Sequence, residues 1–196
     1  AWMAVASGAY DVALAIGSEQ MGKMGLLGGG SGGDRAYSTE GVMGTGLMPG
    51  VFGQAGVEHM RKYGTTQEQF AKVAVKNHAH GALNPYAQYR TETPLEDVMN
   101  ARPIAFPNTL YMCCPTGDGA AAVVLMSAEK ARQYTTKPVW LAASVITSDP
   151  WQERNPVMYD INTVTRLAAK EAYEKSGIGP EDLSMVELHD CFATAE

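Results

Sequence analysis

The sequence predicts an α/β fold built on a mostly parallel sheet. Three observations carry that prediction. Past Pro107 the chain reads strand, helix, strand, helix, strand. The runs "DVALAIGSE", "PVWLAASVITS" and "MVELHDCFA" are apolar on both faces, as a sheet covered by helices on each side requires. A long polar, glycine-rich stretch separates the first of these runs from the others.

Taken in order, residues 1–9 have the rhythm of a helix tail, closed by a turn at 8–11. Residues 11–19 form a short apolar run of strand length. From Met21 to Gly53 glycine dominates among Met, Ser and Thr, which predicts a loop or irregular excursion. "QAGVEHMRKYG" resumes a helix with Val57 and Met60 on its apolar side and Gly64 as its stop. "TTQEQFAKVAVKNHAH" opens with Thr65 three residues before Glu68, a capping-box pattern, and its apolar face is Phe70, Val73 and Ala74. Asn84 and Pro85 mark a turn, and Pro94 opens a short helix as its first residue. A polar, irregular insertion therefore occupies 21–105. Beyond it, "TLYMCCPTGDGAAAVVLMS" predicts strand, turn and an Ala/Val strand ending at Ser127. "AEKARQY" is a short helix, 138–148 a strong strand, 163–175 a helix stopped at Gly177, and "MVELHDCFA" a last strand.

Composition narrows the function classes. At 196 residues, 45% hydrophobic and 18% charged, the chain is long enough to bury a real core. A formal net charge of −6 argues against a general nucleic-acid binder, which needs clustered Lys and Arg. The basic cluster Arg61, Lys62, Lys72 and Lys76 reads as a solvated face before it reads as an anion site. Three cysteines, two of them adjacent, do not make a disulfide framework and favour a reducing compartment. No apolar run reaches the ~18–20 residues that span a bilayer. The chain opens at Ala1 already in helical rhythm, and so reads as a segment of something longer.

Four stretches carry candidate chemistry. Residues 29–33, Gly-Gly-Ser-Gly-Gly, match the nucleophile-elbow pattern, but six of the nine residues from Gly25 to Gly33 are glycine, so a flexible loop is the stronger reading. His78 and His80 lie two apart with no further ligand type at metal spacing, and read as a polar helix end. Cys113 and Cys114 precede a run of small residues; close packing against that strand is favoured over a nucleophile without a base. "LHDCFATAE" differs. In a strand, period two puts His189 and Cys191 on one face with Asp190 opposite, at the carboxyl end where α/β sheets bind ligands. A histidine beside a thiol can donate to a developing oxyanion or help hold a thiolate. Chemistry is favoured there over a satisfied buried pair, though by a narrow margin.

With those residues in view the chain resembles the SCP2-type thiolases (the thiolase domain of sterol carrier protein X and its bacterial relatives). "DVALAIGSEQM" is similar to the strand behind the nucleophile's helix. "VFGQAGVEHMRKYGT" and "FAKVAVKNHAHGALNPYAQYR" are similar to the loop domain. "CCPTGDGAAAVVLMS" resembles the last strand of the N-terminal half, and "SGIGPEDLSMVELHDCFATAE" the segment that carries the HDCF motif. The resemblance implies a layered αβαβα thiolase fold, partial here, with an irregular helical loop domain inserted. It divides the chain into the end of the N-terminal half (1–20), the loop domain (21–105), the last strand region of that half (106–130) and the start of the C-terminal half (131–196).

It also implies a reaction. An N-terminal cysteine takes the acyl group as a thioester, and a second cysteine moves the proton on Cα. The two catalytic roles that carry over are those of His189, as oxyanion donor, and Cys191, as acid/base. The nucleophilic cysteine is expected upstream of Ala1 and the Gly-His-Pro histidine beyond Glu196. Neither Cys113 nor Cys114 matches the nucleophile's context. The full-length parent is thus expected to cleave 3-oxoacyl-CoA with coenzyme A or to run the reverse Claisen condensation, in fatty acid β-oxidation or sterol side-chain metabolism, while this stretch alone is inactive. Coenzyme A enters as co-substrate, with no permanently bound cofactor and no metal. A homodimer or homotetramer is expected, cytoplasmic in a bacterium or peroxisomal in a eukaryote. The rival readings are a thiolase-fold retro-aldolase on steroid CoA esters and a non-catalytic homologue that binds acyl-CoA or lipid.

Overall fold

The computed structural model describes residues 1–21, 48–148 and 162–196, the side chains of 162 and 163 excepted. The glycine-rich stretch with its Gly-Gly-Ser-Gly-Gly motif lies outside the described residues. In chain order the elements are α1 (Trp2–Ala6), β1 (Val12–Gln20), α2 (Met48–Tyr63), α3 (Gln67–Leu83), α4 (Leu95–Asn100), β2 (Pro103–Ala105), β3 (Asn108–Thr109), a 3₁₀ turn at Leu110–Met112, β4 (Asp118–Met126), α5 (Ala128–Ala131), α6 (Asn162–Ser176) and a 3₁₀ turn at Pro180–Asp182. They divide between two units.

The first unit gathers 1–21, 117–148 and 162–186. Its ladder joins β1 to β4, running from Val12 opposite Met126 to Gln20 opposite Asp118. The pairing is antiparallel, which corrects the expectation of a mostly parallel sheet. The two runs that would have supplied parallel neighbours form no ladder among the described residues: 138–148 and 185–190 belong to no strand. The apolar pattern of 138–148 is real, but Val139 and Ile146 stay 98% and 88% exposed. Side-chain pattern alone cannot make a strand; it needs a neighbour with matching backbone donors and acceptors. The small residues of β4 are likewise exposed, so the close packing expected against them is not met among the described residues. Helix ends in this unit follow their chemistry. Gly177, at φ 70°, takes the left-handed turn that closes α6, and its N–H reaches Tyr173 O at 2.9 Å. Ser127 caps α5 by accepting from Lys130 N–H.

The second unit gathers 48–116 and 187–196. Its core is Phe70, Ala71 and Ala74 of α3, Val98 of α4, Met112 and Ala193, edged by Met60, Val73, Val75, Leu95 and Met99. The α2–α3 corner is set by Gly64 at φ 72°, then by Thr66, whose side chain accepts from Gln69 N–H while Gln69 returns a bond to Thr66 N–H. The capping box therefore sits one residue later than Thr65–Glu68. Both threonines satisfy the spacing, but the Thr65 hydroxyl lies 2.9 Å from His59 Nδ1 and is engaged there. Pro94 likewise stands at the N-cap of α4, with Leu95 the first helical residue. Thr109, buried in β3, donates to Val98 O at 2.6 Å and ties β3 to α4.

Candidate active site

Residues 191–193 are seated in the second unit by a short antiparallel ladder. Cys113 bridges Phe192; Cys114 N–H donates to Cys191 O at 2.9 Å, and Ala193 N–H donates to Met112 O at 2.8 Å. Phe192 is 3% exposed, and its ring lies 5.0 Å from that of Phe52 of α2, tilted by 31°. Thr194 Oγ1 donates to Phe52 O at 3.1 Å and accepts from the Asn108 amide at 3.1 Å. The segment can lie this close because α2 carries Gly56: a Cβ there would stand 2.7 Å from the Thr194 methyl and 2.9 Å from Pro107 Cδ.

The strand expected at "MVELHDCFA" reduces to this single bridge, since 185–190 are unpaired. The period-two argument for a shared face of His189 and Cys191 therefore loses its basis. Its reason is physical: pairing begins only where 112–114 offer free backbone groups. His189 is exposed and makes no side-chain hydrogen bond among the described residues. Asp190 is half-buried and accepts from the Asn77 amide on α3, which also donates to Glu196 Oε2 at 3.0 Å. Lys76 pairs with the same Glu196 carboxylate. One turn of α3 thus fixes both ends of the segment that holds Cys191. Nothing local in the sequence links Asn77 to Asp190, 113 positions away.

The three thiols are free and sit in different surroundings. Cys113 donates to Thr109 O at 3.3 Å; burial, then the neighbouring Cys114 and Cys191 thiols, push it up to about 11. Burial also raises Cys114, with the Asp190 carboxylate adding to it. Cys191 is raised by burial and then by Cys114, and the backbone N–H groups of Phe192 and Cys191 oppose the rise. A cavity of about 250 Å³ is lined by Asn77, Tyr111, Cys113, Cys114 and Asp190 among others. A second, of about 980 Å³, is also lined by His78, Tyr89 and Tyr111. His78 is held between Thr93 Oγ1 at 3.2 Å and Tyr111 O at 3.4 Å, which fits a structural ring. Of the basic cluster, Arg61, Lys72 and Lys76 pair with Glu58, Glu68 and Glu196, and Lys62 lies over the Tyr63 ring, as a solvated face would.

No family model matches the chain. Among curated proteins it is 37% identical over 207 residues to "Sterol carrier protein 2" of Rattus norvegicus, covering 98% of this chain and 38% of that protein. It is 39% identical over 193 residues to "Benzoylsuccinyl-CoA thiolase subunit BbsB" of Thauera aromatica, covering 98% of this chain and 49% of that protein. The chain thus spans less than half the length of either relative. Among solved structures, "Ltp2-ChsH2(DUF35) aldolase" superposes with a TM-score of 0.75 at 27% identity, over 98% of this chain and 51% of that one. A monomeric SCP2-thiolase like protein from Mycobacterium smegmatis superposes at 0.67 over 93% of this chain and 39% of that one, at 23% identity. The fold is mixed α/β and thiolase-like.

Proposed function

We propose, for a chain homologous to the SCP2-type thiolases along almost its whole length, that it is the central part of an acyl-CoA thiolase. The observation that supports this most is the His189–Asp190–Cys191–Phe192 segment, held by Phe192 in the core and by Asn77 at Asp190, with a raised thiol between them. In the proposed reaction a cysteine supplied elsewhere in the full-length protein holds the acyl group as a thioester. Cys191 takes or returns the Cα proton. Its raised pKa suits that work: the thiol is protonated at neutral pH and ready to quench an enolate, and its conjugate base is stronger than an ordinary thiolate. His189 donates to the oxyanion that develops on the enolate oxygen. Acyl-CoA and free coenzyme A are the substrates. A homodimer or homotetramer, cytoplasmic or peroxisomal according to the host, belongs to the same proposal. No helix among the described residues is long and apolar enough to cross a membrane.

The test is Cys191→Ala in the full-length protein. Given acetyl-CoA, the variant should still acylate its nucleophile, seen by intact-mass spectrometry, while condensation falls by about 10²–10⁴-fold. Unchanged condensation would sink the role. A retro-aldolase is a second reading, favoured by the likeness to the aldolase structure. The two differ in stoichiometry: thiolysis of a 3-oxoacyl-CoA consumes one free coenzyme A per cleavage. Retro-aldol cleavage of a 3-hydroxyacyl-CoA consumes none. Titrating free thiol during turnover separates them.

A further inference from the structure

One step outward from the single bridge that seats residues 191–193, Cys114 N–H donates to Cys191 O at 2.9 Å, which brings these two residues together. The bridge pairs Cys113 with Phe192, and the flanking bonds join Cys114 to Cys191 and Ala193 to Met112. One step outward from 113–192 in an antiparallel ladder is 114–191. Alternation sends those two side chains to one face and Cys113 with Phe192 to the other. The other face is the inner one, where Phe192 is buried and the Cys113 thiol is engaged with Thr109 O. Cys114 is exposed and Cys191 half-buried. Directly opposed residues of such a ladder have Cα atoms about 5.5 Å apart, inside the ~4.4–6.8 Å that a disulfide spans.

We propose that Cys114 and Cys191 form a dithiol modification site, closed to a disulfide by a peroxide and reopened by a thiol reductant. The first thiolate attacks one peroxide oxygen; the O–O bond breaks, and hydroxide leaves and is protonated to water. The sulfenic acid formed is attacked by the second thiolate; the S–S bond forms, the S–O bond breaks, and a second water leaves. Two thiols and one hydrogen peroxide thus give one disulfide and two waters. Cys114, the more exposed, meets the oxidant first. Burial raises both thiols, and Asp190 adds to each, so thiolate is scarce at neutral pH and closure quickens as pH rises. The consequence for turnover rests on the reading of Cys191 as the proton-transfer group: closure removes its S–H and stops Cα proton transfer, while the acyl-accepting cysteine stays free.

The full-length protein is treated with hydrogen peroxide, alkylated, digested and analysed by mass spectrometry. The expected product is a Cys114–Cys191 linked peptide pair lighter by two hydrogens, lost on dithiothreitol treatment. Single oxidation of Cys191 to the sulfinic acid without that link overturns the proposal, as does linkage of either residue to a different cysteine. Cys114→Ser gives an independent arm. With peroxide in enough excess to carry an unpaired sulfenic acid on to the sulfinic acid, dithiothreitol should restore condensation to the treated protein but not to treated Cys114→Ser, because dithiothreitol reduces a disulfide and not a sulfinic acid. Equal recovery in both overturns the pair. If the link forms and condensation continues, the pair stands and the proton-transfer role of Cys191 falls, so the two failures are distinguishable.

Discussion

At the scale of single residues, three thiols within one short ladder are sorted by what each faces. Cys113 turns inward and its thiol is pushed up to about 11 from 9.0, chiefly by burial. A thiol harder to ionise in the folded state makes stability depend on pH with a definite sign. Below about pH 9 both folded and unfolded chains hold the proton, and the contribution is fully present. Between about 9 and about 11 the unfolded chain ionises first, so stability falls, and above about 11 the fall stops. Tyrosines and lysines titrate in the same range, so the informative quantity is a difference. Cys113→Ala should remove this part of the alkaline slope, measured by urea unfolding of both proteins from pH 8 to 11. Parallel slopes would show that Cys113 is not held in this way. Alkylation gives an ordering as well: at pH 8 the exposed Cys114 should react with iodoacetamide faster than Cys113.

Among the elements, the stops were legible and the partnerships were not. Gly8, Gly64 and Gly177 are the three positive-φ positions among the described residues, and glycine there announces itself in sequence because other side chains resist that conformation. The cap of α3 was one residue away, since two adjacent threonines met the same spacing and only His59, six residues from Thr65, decided between them. The close approach of α2 to the 192–196 turn had no local signal, because Gly56 looks like any glycine in a helix. There, substitution to alanine gains about 1 kcal/mol of helix propensity but drives a Cβ into the Thr194 methyl and the Pro107 ring, an overpacking cost of about 1–3 kcal/mol. Neither neighbour yields easily: Thr194 is bonded to Phe52 O and Asn108, and Pro107 is a ring carbon on backbone. Gly56→Ala should therefore lower stability of the second unit and loosen the Cys191 segment, whereas Gly119→Ala, with open space around it, should change stability by less than about 0.5 kcal/mol. Urea midpoints of the two variants check this, and equal midpoints would refute it.

For the molecule as a whole, hydrophobic patterning identifies the apolar runs, two of which form β1 and β4, but does not tell which of them find cover. Val12, Leu14 and Ile16 of β1, Val123 and Val124 of β4, and Val139, Trp140, Leu141 and Ile146 all stay exposed. In the second unit the same kinds of side chain are buried, because α3 and α4 close over Met112 and Ala193. Periodicity tells which residues seek cover; it does not tell whether cover is within reach of the chain. The candidate site divides the same way. The resemblance singles out His189 and Cys191, while Asn77 and Cys114 needed the fold to bring them beside Asp190 and Cys191, 113 and 77 positions away. Burial this uneven should be visible in amide exchange. The N–H groups of Cys114 and Ala193 and the mid-helix amides of α3 are bonded beside a packed core, so they open only with that core. The β1–β4 amides are bonded in a two-stranded ladder with little apolar cover, and such ladders are marginal alone. In the isolated 196-residue chain, the α3 amides and those of Cys114 and Ala193 should be slower than β1–β4 by about 10²-fold or more, the ratio that a local difference of about 3 kcal/mol produces. Equal protection across both units would mean that β1 and β4 are covered by contacts other than those described.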